Sequence, residues 1–132
     1  IGTSEVFLPW FGITEASDLT GPSSSFLVPY SMTLQKIMLR PEAISSNATA
    51  NLAVRLKKMD DTSTSVDTVA ATTYDPTLAA HTNIVVYKSD FDYNPKFEIG
   101  DNCGVSIQSA TGDYGSSIKW KITSVWAVEI NI

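Results

Sequence analysis

The stretch IKWKITSVWAVEINI, residues 118–132, decides the fold class of this chain. Seven of its eight even-numbered residues are apolar, whereas the odd-numbered ones are mostly polar or small. This period of two is typical of a β-strand, because a helix would scatter the tryptophans around its circumference. The pattern predicts one long strand, or two strands with a bend near Ser124, placed centrally in a sheet. The core residues predicted here are Trp120, Ile122, Trp126, Val128 and Ile130.

Shorter segments of the same kind precede this strand and are separated by turn-rich stretches. The alternating or β-branched segments are residues 33–40, 51–58, 83–87 and 104–109. No segment sustains a 3.6-residue period. The sequence therefore predicts an all-β fold: an antiparallel, jelly-roll-like β-sandwich of about eight strands with little or no helix, forming a single domain over residues 1–132. Because the first residue is Ile1 rather than Met, we expect a fragment or a processed product.

Composition narrows the classes of function. The chain is 43% apolar and 17% charged, which suffices for a packed core. Its net charge is −5 and its nine Lys and Arg residues are dispersed, which disfavours nucleic acid as a partner. No apolar run approaches the ~18 residues of a membrane span, so we expect no membrane insertion. The single cysteine, Cys103, is expected to be a small buried residue.

The residues that usually carry catalysis are sparse. A Ser-His-Asp arrangement would require His81, which lies in a loop-like stretch, and one His with one Cys makes a zinc site improbable. No phosphate-binding glycine motif is present. We therefore predict that the protein is not an enzyme and has no catalytic residues and no cofactor. The one alternative left open is a loop-bound calcium ion at Asp60, Asp61, Asp90, Asp92, or Asp101 with Asn102.

Aromatic residues in loops are the candidates for recognition. Outside the C-terminal strand, the aromatics that could stack on sugars are Trp10, Tyr30, Tyr74, Tyr87, Tyr93 and Tyr114. Two tyrosines stand in loop-like stretches beside an aspartate, a setting that suits a binding surface. The predicted recognition residues are accordingly Tyr93 with Asp92 and Tyr114 with Asp113.

Several short motifs together resemble a known family. They are FLP at 7–9, FLVPY at 26–30, LQKIMLR at 34–40, KK at 57–58, FEIGD at 97–101 and WAVEI at 126–130. In this order they resemble the β-sandwich domains of tailed-bacteriophage virion proteins, particularly those of marine phages. Such domains occur in tail fibres, spikes and capsid decorations. The resemblance extends over most of the chain.

The resemblance implies a non-enzymatic structural module of the virion. It would sit at a tail-fibre or spike tip or decorate the capsid, self-associate as a homotrimer, and contact other virion proteins or a host-surface glycan. The alternative is a carbohydrate-binding module of a secreted protein, which predicts a monomer with exposed aromatics in a row on one sheet face. A small jelly-roll enzyme is a third hypothesis, and the single histidine argues against its cupin-type form.

Overall fold

The computed structural model describes residues 5–10, 17–19, 24–42, 51–59, 65–74, 81–109 and 120–130. Within these ranges nine strands form two antiparallel sheets, which confirms the predicted all-β sandwich. The strands are β1 (Val6–Phe7), β2 (Phe26–Leu27), β3 (Met32–Pro41), β4 (Leu52–Met59), β5 (Val66–Tyr74), β6 (Ile84–Tyr87), β7 (Lys96–Phe97), β8 (Asn102–Ser109) and β9 (Trp120–Val128). None of the described segments forms a helix long and apolar enough to cross a bilayer.

The first sheet is built around β8. Strand β4 pairs with β8 along one side, and the two short strands β1 and β2 share the other side. Strand β5 pairs with β4 and forms an edge of this five-stranded sheet. All these pairings are antiparallel.

The second sheet is built around β3. Strand β9 pairs with β3 from Met32↔Val128 to Pro41↔Trp120, while β6 and β7 share the opposite side of β3. Residues 120–128 therefore form one strand rather than two. The expected central position of this strand is wrong, since among the described residues β9 pairs with β3 alone. Alternation of side chains reports the two faces of a strand and carries no information about its two edges.

The core lies between the sheets and is formed by the inward-facing residues of both. In β4 the inward side chains alternate regularly as Leu52, Val54 and Leu56, all fully buried. In β3 they step by three residues, from Leu34 to Ile37, because the register shifts between Leu34 and Lys36. A β-bulge of this kind adds one residue to a strand and so returns the following side chains to the core face.

The C-terminal strand contributes only part of its apolar face to this core. Trp120, Ile122 and Trp126 are partly buried and pack against the core cluster. The prediction of Val128 and Ile130 as core residues is wrong, because they are 49% and 63% exposed. A period of two indicates which side chains share a face of the strand, but it does not say how far along the strand the opposing sheet extends.

A smaller cluster covers the outer face of the five-stranded sheet. It consists of Phe7 from β1, Met59 from β4 and Leu19. Leu19 lies over Gly104 in β8, where an added Cβ would come within 2.3 Å of Leu19 Cδ2 and 2.8 Å of the Ser24 carbonyl oxygen. Glycine at this position lets residues 19 and 24 approach the sheet closely.

Candidate functional site

The loop between β6 and β7 positions the candidate site. It opens with a 3-10 turn, Lys88–Asp90, in which the Phe91 amide donates to the Lys88 carbonyl at 3.3 Å. The Asp90 carboxylate accepts a hydrogen bond from the Tyr87 amide at 2.8 Å, which links the last residue of the turn to the residue that precedes the turn. Phe91 is buried in the core, so its side chain holds the middle of the loop to the sandwich.

Asp92 links this loop to the other sheet. Its amide donates to the Ala71 carbonyl at 3.0 Å, and its Oδ1 accepts from the Ala71 amide at 2.7 Å. Ala71 lies on the edge strand β5, so a loop from one sheet is hydrogen-bonded to the edge of the second. Farther along, the Pro95 carbonyl accepts from the Leu34 amide at 2.9 Å. Contacts to both sheets therefore fix the shape of the loop.

An open groove of about 470 Å³ runs beside this loop. Its lining combines aromatic, amide and other polar side chains with a buried apolar floor. The lining residues are Gln35, Tyr87, Lys88, Ser89, Phe91, Tyr93, Asn94 and Pro95. Phe91 and Pro95 are buried, whereas Tyr93 is 72% and Tyr87 54% exposed.

The chemistry of this lining suits an uncharged polar ligand with apolar faces. Tyrosine rings offer flat apolar surfaces with a hydroxyl at one end. The amide groups of Gln35 and Asn94 both donate and accept hydrogen bonds, and Lys88 and Ser89 add further donors. A sugar ring has the matching combination of C–H faces and hydroxyl edges.

The predicted recognition residues have different outcomes. Tyr93 lines the groove with its side chain largely in solvent. Asp92 lies next to it, but its carboxylate is engaged by Ala71 and anchors the loop. The other predicted pair, Asp113 and Tyr114, lies outside the described residues.

Two groove residues follow from the fold more than from sequence pattern. Tyr87 is one of the aromatics considered from the sequence, but its place beside Tyr93 depends on how the loop returns to β7. Gln35 reaches the groove because it stands at the β-bulge of β3. Its Nε2 donates to the Thr33 carbonyl at 3.2 Å, which orients the amide. No local sequence motif predicts such a bulge.

Two of the loop carboxylates considered for calcium, those of Asp90 and Asp101, close turns, whereas that of Asp92 is bonded to Ala71 of the other sheet. Asp90 accepts from the Tyr87 amide, and the Asp101 carboxylate accepts from the Glu98 amide at 2.9 Å. Two further candidates, Asp60 and Asp61, lie outside the described residues. Within the described ranges, no group of three or more His, Cys, Asp or Glu side chains could hold a metal ion.

His81 lies beside a carboxylate, and Cys103 lies in the core. His81 adopts a φ of 63°, and its Nδ1 lies 3.1 Å from a carboxylate oxygen of Glu42. Cys103 is fully buried, and burial, with a smaller contribution from Asp101, raises the pKa of its thiol to about 12. A thiol with so high a pKa is a poor nucleophile at neutral pH.

Comparison with known proteins finds no matching family model, no matching curated protein and no matching solved structure.

Proposed function

We propose that this domain is a non-enzymatic recognition module of a tailed-bacteriophage virion, and that it binds a saccharide at the groove between Tyr87 and Tyr93. One observation carries the proposal: two exposed tyrosines, Tyr87 at the end of β6 and Tyr93 in the loop that is hydrogen-bonded to both sheets, line one groove. Large exposed aromatic rings on a fixed loop are typical of binding surfaces.

The anchoring of the loop supports this function energetically. A weak ligand such as a sugar gains little free energy from each contact, so the cost of ordering the binding surface weighs heavily. Here the backbone contacts of Asp92 and Pro95 order the loop before any ligand arrives. The domain is expected to bind single saccharide units weakly, and repeated copies on a particle would raise the effective affinity.

The virion assignment is supported by the resemblance of the short motifs. Two of these motifs contact each other through their backbones: the Gly100 amide donates to the Val28 carbonyl at 2.8 Å, and the Val28 amide donates to the Asp101 carbonyl at 3.0 Å. Gly100 has a φ of 88°, a conformation that glycine adopts without strain. These two motifs therefore stabilise the backbone of the domain, as expected of a structural module.

Saccharide binding is tested with tyrosine variants. We expect Tyr93→Ala and Tyr87→Ala each to weaken binding roughly two- to tenfold, since an aromatic contact contributes about 0.5–1.5 kcal/mol. Tyr30→Ala is the matched control, because Tyr30 is 47% exposed and does not line the groove. A glycan array identifies a ligand, and calorimetry measures the affinities. Equal affinity in all four proteins would contradict the proposed site.

A carbohydrate-binding module of a secreted protein is the second candidate, and the same groove favours it. The two candidate functions predict different locations for the protein. Mass spectrometry of purified particles, followed by labelling with an antibody to this domain, is expected to detect it in the virion. Recovery from the culture medium with none in the particles would favour the secreted module. Light scattering tests the homotrimer that the resemblance implies.

A further inference from the structure

The outer edge of β9 presents backbone hydrogen-bonding groups in a definite phase. The Glu129 amide donates to the Ser31 carbonyl at 2.8 Å, so odd-numbered residues of this segment direct their amides toward β3. In an antiparallel ladder successive residues alternate in direction. From Ile122 to Val128 the even-numbered residues of β9 therefore direct N–H and C=O groups away from β3, where no other strand among the described residues pairs with them.

The side chains along this edge lack the usual features that prevent strand pairing. Residues 120–128 contain no proline and no glycine and only one charged residue, Lys121. Edge strands are usually protected by charges, prolines, bulges or covering segments. In addition, Val125, Val128 and Ile130 are 40%, 49% and 63% exposed.

We propose that β9 pairs with β9 of a second copy of this chain, antiparallel and centred on Val125. The outward-directed groups of Ser124 and Trp126 then bond reciprocally with Trp126 and Ser124 of the second copy. The two four-stranded sheets join into one continuous sheet.

This register matches charge with charge on the outer face. Lys121 lies opposite Glu129 of the second copy, and Val125 lies opposite its own equivalent. The side chains of Lys121 and Glu129 are 74% and 58% exposed. Within one chain they already approach Glu42 at 3.4 Å and Lys96 at 3.1 Å, so the pairing adds a second opposite charge to each.

On the inner face the same register covers apolar residues that are left exposed in the single chain. Val128 comes opposite Ile122 of the second copy, and Ile130 comes opposite Trp120. Ile122 and Trp120 are themselves partly buried against their own core. Cross-strand apolar pairs of this kind stabilise a sheet, so the contact gains free energy from side chains as well as from the backbone.

Neighbouring registers do not offer the same combination. Centring the contact on Ser124 or on Trp126 moves Glu129 away from Lys121, so the opposite charges no longer meet. Of these three registers, the one centred on Val125 alone satisfies the charges, the apolar pairs and the backbone together.

Charge reversal tests the contact. Lys121→Glu and Glu129→Lys each create two like-charge pairs per dimer and are expected to weaken dimerisation roughly tenfold. The double variant K121E/E129K restores opposite charges only between copies, so it should recover dimerisation. Asp67→Lys, on the edge strand β5 of the other sheet, is the matched control. Sedimentation at increasing concentration measures all five proteins.

A disulfide tests the register. In a non-hydrogen-bonded antiparallel pair the Cα atoms are about 4.5 Å apart, within the range of a disulfide. Val125→Cys should therefore form a reducible dimer on air oxidation, while Lys121→Cys should not. A monomeric wild type, a failure of the double variant to recover, or no dimer with V125C would overturn the proposal. A trimer indifferent to these changes would overturn it too, and would leave the saccharide site and the virion role standing.

Discussion

Asp92 lies beside the groove, and its carboxylate is bonded to the Ala71 amide of the other sheet. The sequence marks it only as a loop aspartate beside a tyrosine. In the structure its backbone and carboxylate together pair with Ala71 as a neighbouring strand would. These bonds anchor the loop that carries Tyr93, so we expect any effect of Asp92 on binding to act through the loop.

Removing this anchor is expected to weaken binding more than folding. Asp92→Ala loses one exposed hydrogen bond, which costs about 0.5–1.5 kcal/mol of stability, and frees the loop. Saccharide affinity should fall several-fold although both tyrosines remain. Asp92→Asn keeps an oxygen at the same position and should bind nearly as well as the wild type. Calorimetry, with hydrogen exchange at the Ala71 amide, distinguishes these outcomes, and an unchanged affinity in Asp92→Ala would count against the anchor.

At the scale of elements, β8 depends on a close approach that only glycine permits. Gly104 lies beneath Leu19 and the Ser24 carbonyl, and Ser24 in turn donates from its hydroxyl to the Asp18 carbonyl at 2.8 Å. These contacts hold Leu19 and Ser24 against the outer face of the central strand. Without them the cluster that Leu19 forms with β1 and β4 would lose its cover.

A methyl group at this position should therefore destabilise the domain. We expect Gly104→Ala to lower the free energy of unfolding by about 1–3 kcal/mol, because it overpacks a closed contact. In the double variant with Leu19→Ala part of the overlap is relieved. The loss in free energy of unfolding of the double variant should therefore be smaller than the sum of the losses of the two single variants. Denaturant unfolding measures each variant. Strictly additive losses would show that Leu19 is not the residue that the new methyl group meets.

At the scale of the whole molecule, surface charges connect segments that are distant in the chain. Glu98 accepts from the Ser31 hydroxyl at 2.8 Å and lies 3.4 Å from the Lys96 ammonium. These contacts, the hydrogen bond from Ser31 foremost, lower the pKa of Glu98 despite some desolvation. The Glu98 carboxylate is therefore more stable ionised in the folded chain than in the unfolded one.

Glu42 is a second carboxylate of this kind. Desolvation raises its pKa, but the contacts with Lys121, His81 and Arg40 outweigh that effect, and the net shift is downward. Its partners come from β3, from the start of the segment that leads to β6, and from β9. Ionised Glu42 thus favours the arrangement in which these three segments lie together.

These shifts predict how stability depends on pH. A carboxyl group whose pKa is lowered by folding stabilises the fold at pH values above its pKa in the unfolded chain. This stabilisation is lost as the pH falls through its pKa in the folded chain. We expect the stability of the fold to decline as the pH falls below 4.5, the ordinary pKa of a glutamate side chain. Ser31→Ala should make the acid decline shallower. Thermal unfolding from about pH 3 to 7 checks this, and an unchanged slope in Ser31→Ala would contradict the role of the Ser31 hydroxyl.

Much of the architecture follows from local pattern, whereas the site does not. The alternation in residues 118–132 predicts a strand and places its indole rings, Trp120 and Trp126, on the face that packs against the core. The same pattern errs for the exposed end of that strand, since exposure depends on the opposing sheet. Tyr93 could be chosen from its loop setting, but its pairing with Tyr87 and Gln35 depends on the path of the chain.

The sequence by itself determined that this chain forms strands and which faces of them are apolar, because side-chain direction in a strand repeats every two residues. The tertiary structure alone decided which strand lies at an edge, which apolar residues stay exposed, and which loop residues share a groove. These depend on contacts between segments far apart in the chain, such as Asp92 with Ala71, and no local periodicity records them.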